Sequence, residues 1–194
     1  MITAIYTAIL LFTTQGCLKL DIILVADLSG SVYRYEYFVA DAFDAFIDRF
    51  DLSETGVKVG VIVFNDNLAL LTGLTADKTK IRRAINIIRD ATGTGSTNMT
   101  DTFYAVTNEL VLNGRQGVKK VIIIVSDGIP NRRNTTLKTV MQLRIMYDLT
   151  VCGVWMGGPD RGQEFMQNIS SEYCYAASDY KGLVKQLKRL DICI

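Results

Sequence analysis

Histidine is absent from the chain. Its absence excludes Ser-His-Asp triads, imidazole general bases and every zinc site that needs a histidine ligand. Excess charge of either sign is also missing: 21 Lys and Arg stand against 20 Asp and Glu, a formal net charge of +1. With no basic patch or stripe to read, there is no electrostatic case for a nucleic-acid partner. Cys17, Cys152, Cys174 and Cys193 contain no C-x-x-C pair. An even count fits two disulfides in an exported chain, and four cysteines allow three pairings that spacing does not rank. Proline occurs only twice, and no repeat, Pro-rich stretch or Gly/Ser linker divides the chain. Its 194 residues therefore suit one domain, long enough to bury roughly two-thirds of its unfolded surface.

Apolar residues make up 49% of the chain and charged ones 21%, a balance that suits a compact fold. The first residues, MITAIYTAILLFTTQG, carry an apolar run from Ile2 to Phe12 followed by small and polar residues. The run is too short to span a bilayer. Residues 1–16 read as a cleavable signal peptide, which predicts a secreted protein with its domain in 17–194. Cleavage before Cys17 would instead suit a bacterial lipoprotein, although Thr14-Gln15-Gly16 departs from the usual small-residue lipobox.

The remainder alternates between two periods. Leu20–Ala26 is a short apolar run rich in branched residues and ends at Asp27, as a buried strand would. From Arg34 to Phe50, apolar residues recur at three and four, the stripe of a core-facing helix. Strand patterns at Val57–Phe64, Val118–Ser126, Val151–Met156 and Tyr173–Ala177 alternate with helical ones at Lys80–Ile88, Asp101–Leu112, Leu137–Tyr147, Gln163–Ile169 and Tyr180–Leu190. Leu68–Leu71, after Asn65-Asp66-Asn67, looks like a hairpin partner of the second strand. The alternation predicts an α/β fold: a mostly parallel sheet with helices on both faces.

Ligands of such sheets bind beyond the carboxyl ends of the strands, where strand order reverses. There the first strand ends in Asp27-Leu28-Ser29-Gly30-Ser31, the longest apolar strand ends in Ser126-Asp127-Gly128, and Thr97 sits in a Gly-flanked loop that opens a helix. Asp27, Ser29, Ser31, Thr97 and Asp127 thus offer oxygen atoms from three loops. An all-oxygen set suits a hard cation, Mg2+ or Mn2+. Two carboxylates only balance its charge and hydroxyls donate little, so the natural last ligand is an Asp or Glu carboxylate from a protein partner.

DLSGS, the downstream STNMTDTF loop and the strand-end VSDG together resemble the metal-ion-dependent adhesion site of von Willebrand factor A domains. The similarity runs from about Cys17 to Cys193. By motif position, Asp27, Ser29 and Ser31 take the D-x-S-x-S roles, Thr97 the threonine and Asp127 the last aspartate. The resemblance implies a doubly wound sheet of order 3-2-1-4-5-6 with one antiparallel edge strand. It also implies a non-enzymatic adhesion module in the extracellular space, with matrix among its conceivable partners. The family often has a G-G-T-N-T-G-type loop, whereas this chain reads Gly95-Ser96-Thr97-Asn98-Met99-Thr100. Similar extracellular domains tie their termini together, which favours a Cys17–Cys193 disulfide. Cys152 and Cys174 then pair with each other or remain buried thiols.

Around the metal loops, Tyr33, Arg34, Asn98, Arg132 and Arg133 are candidates for a partner-binding rim, since aromatics and arginine anchor interfaces. Asn134-Thr135-Thr136, Asn168-Ile169-Ser170 and Asn98-Met99-Thr100 are glycosylation sequons by pattern. Two other functions compete. A haloacid-dehalogenase-like phosphatase would need a second aspartate at Ser29, and no G-x-G-x-x-G supports dinucleotide binding. An intracellular domain of the same type, acting as an adaptor in a metal-chelatase-like assembly, would require a reducing compartment.

Overall fold

A computed structural model describes residues 19–157, 160–190 and 192. The strands are β1 (Leu20–Asp27), β2 (Val57–Phe64), β3 (Leu68–Thr75), β4 (Lys119–Ser126), β5 (Leu149–Trp155) and β6 (Tyr175–Ala177). The helices are α1 (Glu36–Ile47), α2 (Lys78–Arg89), α3 (Met99–Leu112), α4 (Arg133–Tyr147), α5 (Asp160–Ile169) and α6 (Leu183–Arg189), with short 3-10 turns at Gly30–Val32 and Tyr180–Gly182. One six-stranded sheet runs β3-β2-β1-β4-β5-β6. Only the β2–β3 pair is antiparallel. This is the predicted α/β sheet, with its predicted order.

Central position explains the composition of the inner strands. All eight residues of β1 are buried, because helices cover both faces and a parallel interior strand has no wet side. One apolar cluster joins residues on one face of the sheet, such as Leu24 and Val61, to Phe43, Ile85 and Leu187 from α1, α2 and α6. The other joins Val25, Ile62 and Ile124 to Phe103, Val140 and Phe165 from α3, α4 and α5. Asp21, inside β1 and fully buried, is held by Arg115: its carboxylate receives the Arg115 backbone N–H at 2.6 Å and Nε at 2.9 Å. The same guanidinium reaches the carbonyls of Leu20, Glu54 and Gly56. That network clamps the end of the sheet remote from the Asp27 loop.

Several elements depart from the sequence reading. β3 continues to Thr75 rather than stopping near Leu71, because an edge strand tolerates Gly73 and irregular register with β2. Residues 34 and 35 precede α1, and Arg34 has φ 75°, a strained value for a non-glycine residue. Tyr173, expected in the last strand, has φ 60° and lies outside β6. Cys152 and Cys174 form a disulfide, so the free-thiol alternative is set aside. The Cys17–Cys193 pairing and the proposed leader lie outside the described residues. Among those described, no helix is long and apolar enough to cross a membrane.

Candidate metal centre

Strand order places the first crevice between β1 and β4, since the chain leaves β1 for β2 on one side while β4 takes its other edge. Asp27 ends β1 and Asp127 follows β4, so both carboxylates arrive at this switch point from sheet neighbours. Asp27 and Asp127 are 1% and 3% exposed. Among the described residues neither forms an ion pair.

Asp27 is fixed by two hydrogen bonds. Its Oδ1 accepts the Ser29 N–H at 2.8 Å and its Oδ2 accepts the Ser126 hydroxyl at 2.5 Å. Burial nevertheless pushes its pKa up from 3.8 to about 6; these hydrogen bonds oppose the rise, and the charge of Asp127 adds to it. Ser126 also accepts the Gly128 N–H at 3.0 Å. Asp127 Oδ1 receives the Ile129 N–H at 3.1 Å.

The tight turn after β1 brings the Ser29 and Ser31 hydroxyls within 3.1 Å of each other. Ser29 is buried and Ser31 exposed, so the pair leads from the protein interior to solvent. Backbone bonds lace the threonine loop to this turn: Gly30 N–H donates to Gly95 O at 3.0 Å, and Thr94 N–H to Leu28 O at 2.9 Å. Gly95, at φ 74°, is pressed against the Asp66 carboxylate, which leaves no room for a Cβ. On the far side, Thr97 N–H donates to Asn131 Oδ1 at 2.9 Å, and Asn131 N–H returns to Thr97 O at 3.0 Å. Thr97 is thereby tied to the loop that carries Asp127. The five predicted residues therefore sit on three loops that are bonded to one another.

The donor set fits a divalent cation. Two buried carboxylates need neutralising, the surrounding atoms are hydroxyl and carbonyl oxygens, and Ser31 opens on water. Among the described residues, no group of three acidic or cysteine side chains gathers here or elsewhere, so a cation at this crevice would rely on hydroxyl oxygens beside the two carboxylates.

Rim candidates divide. Tyr33 is 47% exposed, and the Arg34 guanidinium lies 5.2 Å from its ring centroid. Arg132 is exposed. Arg133 is occupied, donating to Arg161 O at 2.6 Å and to Glu164 at 3.1 Å. Asn98 is engaged too, its amide bonding Asp101 at 2.7 Å and its N–H bonding Asn65 O at 2.8 Å. Of the sequon asparagines, Asn134 and Asn168 are exposed, whereas Asn98 is half-buried.

Sequence reasoning missed four residues. Ser126 looked like a strand end. Asn131 resembled any turn residue. Glu36 is buried in the first turn of α1 and accepts the Gly93 N–H, fixing the start of the threonine loop. Tyr180 stacks on Tyr35, and its hydroxyl is pushed up to about 12, chiefly by burial and further by Tyr35 and the charge of Asp127. The shared loop ends of the sheet were the only signal available for these, and they gave position without contact.

Fold and crevice together define a doubly wound α/β domain with an oxygen-rich, acidic switch point. The chain belongs to the von Willebrand factor type A domain family, whose model matches residues 21–189. It is 28% identical over 133 residues to the thrombospondin-related anonymous protein of Plasmodium falciparum, an alignment that takes in 64% of this chain and 24% of that protein. The chain therefore spans about a quarter of that relative. Its fold is similar to the manganese-loaded TRAP protein of Plasmodium vivax, with TM-score 0.73 and 20% identity, covering 88% of this chain and 72% of that one. It is also similar to proximal thread matrix protein 1 of the mussel byssus with a zinc-occupied MIDAS motif, with TM-score 0.71 and 22% identity, covering 90% and 46%. The pilus adhesin SpaC of Lactobacillus rhamnosus GG gives TM-score 0.77 and 17% identity, covering 90% and 30%.

Proposed function

We propose that this domain is an extracellular adhesion module that captures an Asp or Glu side chain of a protein partner through one bound Mg2+ or Mn2+. Ser29, Ser31 and Thr97 hold the cation, with Asp27 and Asp127 binding it directly or through water. The observation that carries this reading is the pair of buried carboxylates in the crevice, which have no cationic partner among the described residues. Two buried charges of one sign are costly unless a positive charge is supplied. When bound, the cation supplies that charge and an electrophilic position for an incoming carboxylate. Ser126 and the Ser29 N–H aim Asp27, while the Ile129 N–H aims Asp127. Exposed Ser31 marks the side from which the partner approaches.

Manganese and zinc in similar folds support a divalent ion at this position, and the adhesin among them supports binding over catalysis. A buried disulfide between Cys152 and Cys174 favours an oxidising compartment over a cytosolic adaptor. Hydrolysis has less support, because the chain has no histidine and the Ser126 hydroxyl that bonds the Asp27 carboxylate is fully buried. Calorimetric titration of the purified domain with Mg2+ and Mn2+ tests the proposal. One site per chain is the expected result, and unchanged affinity in an Asp27→Ala, Asp127→Ala variant would refute it.

A further inference from the structure

A cleft of about 200 Å³ opens beside the metal loop, lined by Gly128, Ile129, Pro130, Arg133 and Arg161. It begins one residue beyond Asp127. Two glycines fix its far wall: a Cβ on Gly128 would stand 2.2 Å from Gly162 O, and a Cβ on Gly162 would stand 2.0 Å from Asp127 O. The first turn of α5 therefore packs backbone to backbone against the metal loop. Arg161, which precedes Gly162, is carried to the edge of the cleft.

The two guanidiniums of the cleft differ. Arg133 is committed to Arg161 O and Glu164 and lies 5.1 Å over the Phe165 ring. Arg161 is exposed and, among the described residues, forms no ion pair, and the same holds for neighbouring Arg132. Asp160 and Glu164 flank Arg161 on α5, and Glu164 is already taken by Arg133. The opposite wall of the crevice is acidic, with Asp66 on Ser96 and Asp101 on Asn98. An anionic segment lying across the metal is repelled from one wall and drawn toward the other.

We propose that the partner carries a second acidic side chain, which enters this cleft with its methylene stem on Ile129 and Pro130 and its carboxylate on Arg161. The proposal rests on cation-mediated capture of the first carboxylate. An arginine matches a carboxylate bidentately, and the apolar floor accommodates a stem as readily as it accommodates the stems of lysine and arginine elsewhere. Arg132 strengthens the approach without contacting the cleft.

The test is selection of a displayed random 12-residue peptide library on the Mg2+-loaded domain with elution by EDTA. The expected peptides share two acidic residues at fixed spacing. Selection on Arg161→Ala keeps one and loses the other, and a two-acid peptide binds this variant roughly tenfold more weakly, as for one charge-assisted pair at a partly solvated rim. Arg161→Glu shifts the second position to Lys or Arg. EDTA-eluted peptides with a single conserved acid would overturn this inference and leave the metal reading intact. An absence of EDTA-eluted peptides would overturn both. Retention on a sulfated-polysaccharide column that Arg161→Ala abolishes and EDTA does not affect would assign the arginine to a metal-independent polyanion and also overturn it.

Discussion

Replacing Asp27 with asparagine should make the metal-free domain more stable at pH 7. Burial lifts this carboxyl from 3.8 to about 6, so the folded chain holds the proton more tightly than the unfolded one. Its stabilising contribution is complete below pH ~4 and is lost as pH rises through about 6. At about 1.4 kcal/mol per pKa unit, ionised Asp27 costs the metal-free fold about 3 kcal/mol at neutral pH. Asparagine cannot ionise and keeps the acceptor for the Ser29 N–H. Its amide nitrogen, however, meets Ser126 Oγ, which already receives the Gly128 N–H, and that mismatch costs about 1 kcal/mol. The net expectation is a gain of about 2 kcal/mol at pH 7 that becomes a loss of about 1 kcal/mol near pH 4. Denaturant unfolding of both proteins in EDTA, from pH 4 to 7.5, measures the difference. Saturating Mg2+ should then reverse the order, since an ion at a hundredfold excess over its Kd adds about 2.7 kcal/mol to the wild type alone. A difference that does not change with pH, or a variant less stable at pH 7 in EDTA, would refute the reasoning.

Thr97→Ala should lower Mg2+ affinity about tenfold or more while the melting temperature in EDTA stays close to wild type, because the loop is held by backbone bonds to Asn131. Equal affinity in calorimetry would remove Thr97 from the ligand set. Ser126→Ala should weaken metal binding about 10- to 100-fold without removing a ligand, as an orienting partner does; a fall in denaturation midpoint with unchanged affinity would make Ser126 purely structural. Arg115→Ala should cost about 3 kcal/mol in urea unfolding, the lower end for a broken buried pair, because the residue 115 backbone N–H still reaches Asp21. The double variant Cys152→Ala, Cys174→Ala opens a loop of sequence separation 22 and should lose about 3 kcal/mol on the chain-entropy estimate, read in the same assay.

The strand ends carry most of what was readable in advance. Continuous apolar runs such as Val121–Val125 admit few structures, and a ligand site must lie where such runs stop. Asp27, Ser29, Ser31 and Asp127 all fall at those stops, and Thr97 lies in the loop that joins two helices. Periodicity does not encode contacts between distant segments. Asp21 looked like part of an apolar run because its partner Arg115 lies 94 residues away, and Arg133 looked free because Glu164 sits on another helix. Edge strands are equally poorly marked, since half their surroundings are solvent, and β3 outran its apolar pattern by four residues, from Leu71 to Thr75. The Cys152–Cys174 pairing was one of two alternatives that the sequence left open, and the disulfide between them decides it.

The contact between Gly128 and Gly162 bears on the thermodynamics of the proposed capture. Bare backbone pressed on bare backbone ties the first turn of α5 to the metal loop, so the backbone geometry between residues 161 and 127 is already set in the unbound domain. Under the proposed capture the domain's backbone needs no ordering, and its own share of the entropic cost is confined to side chains such as Arg161. Enlarging Gly162 by a single methyl group would separate the two backbones and turn a preformed surface into one that must be assembled at each encounter.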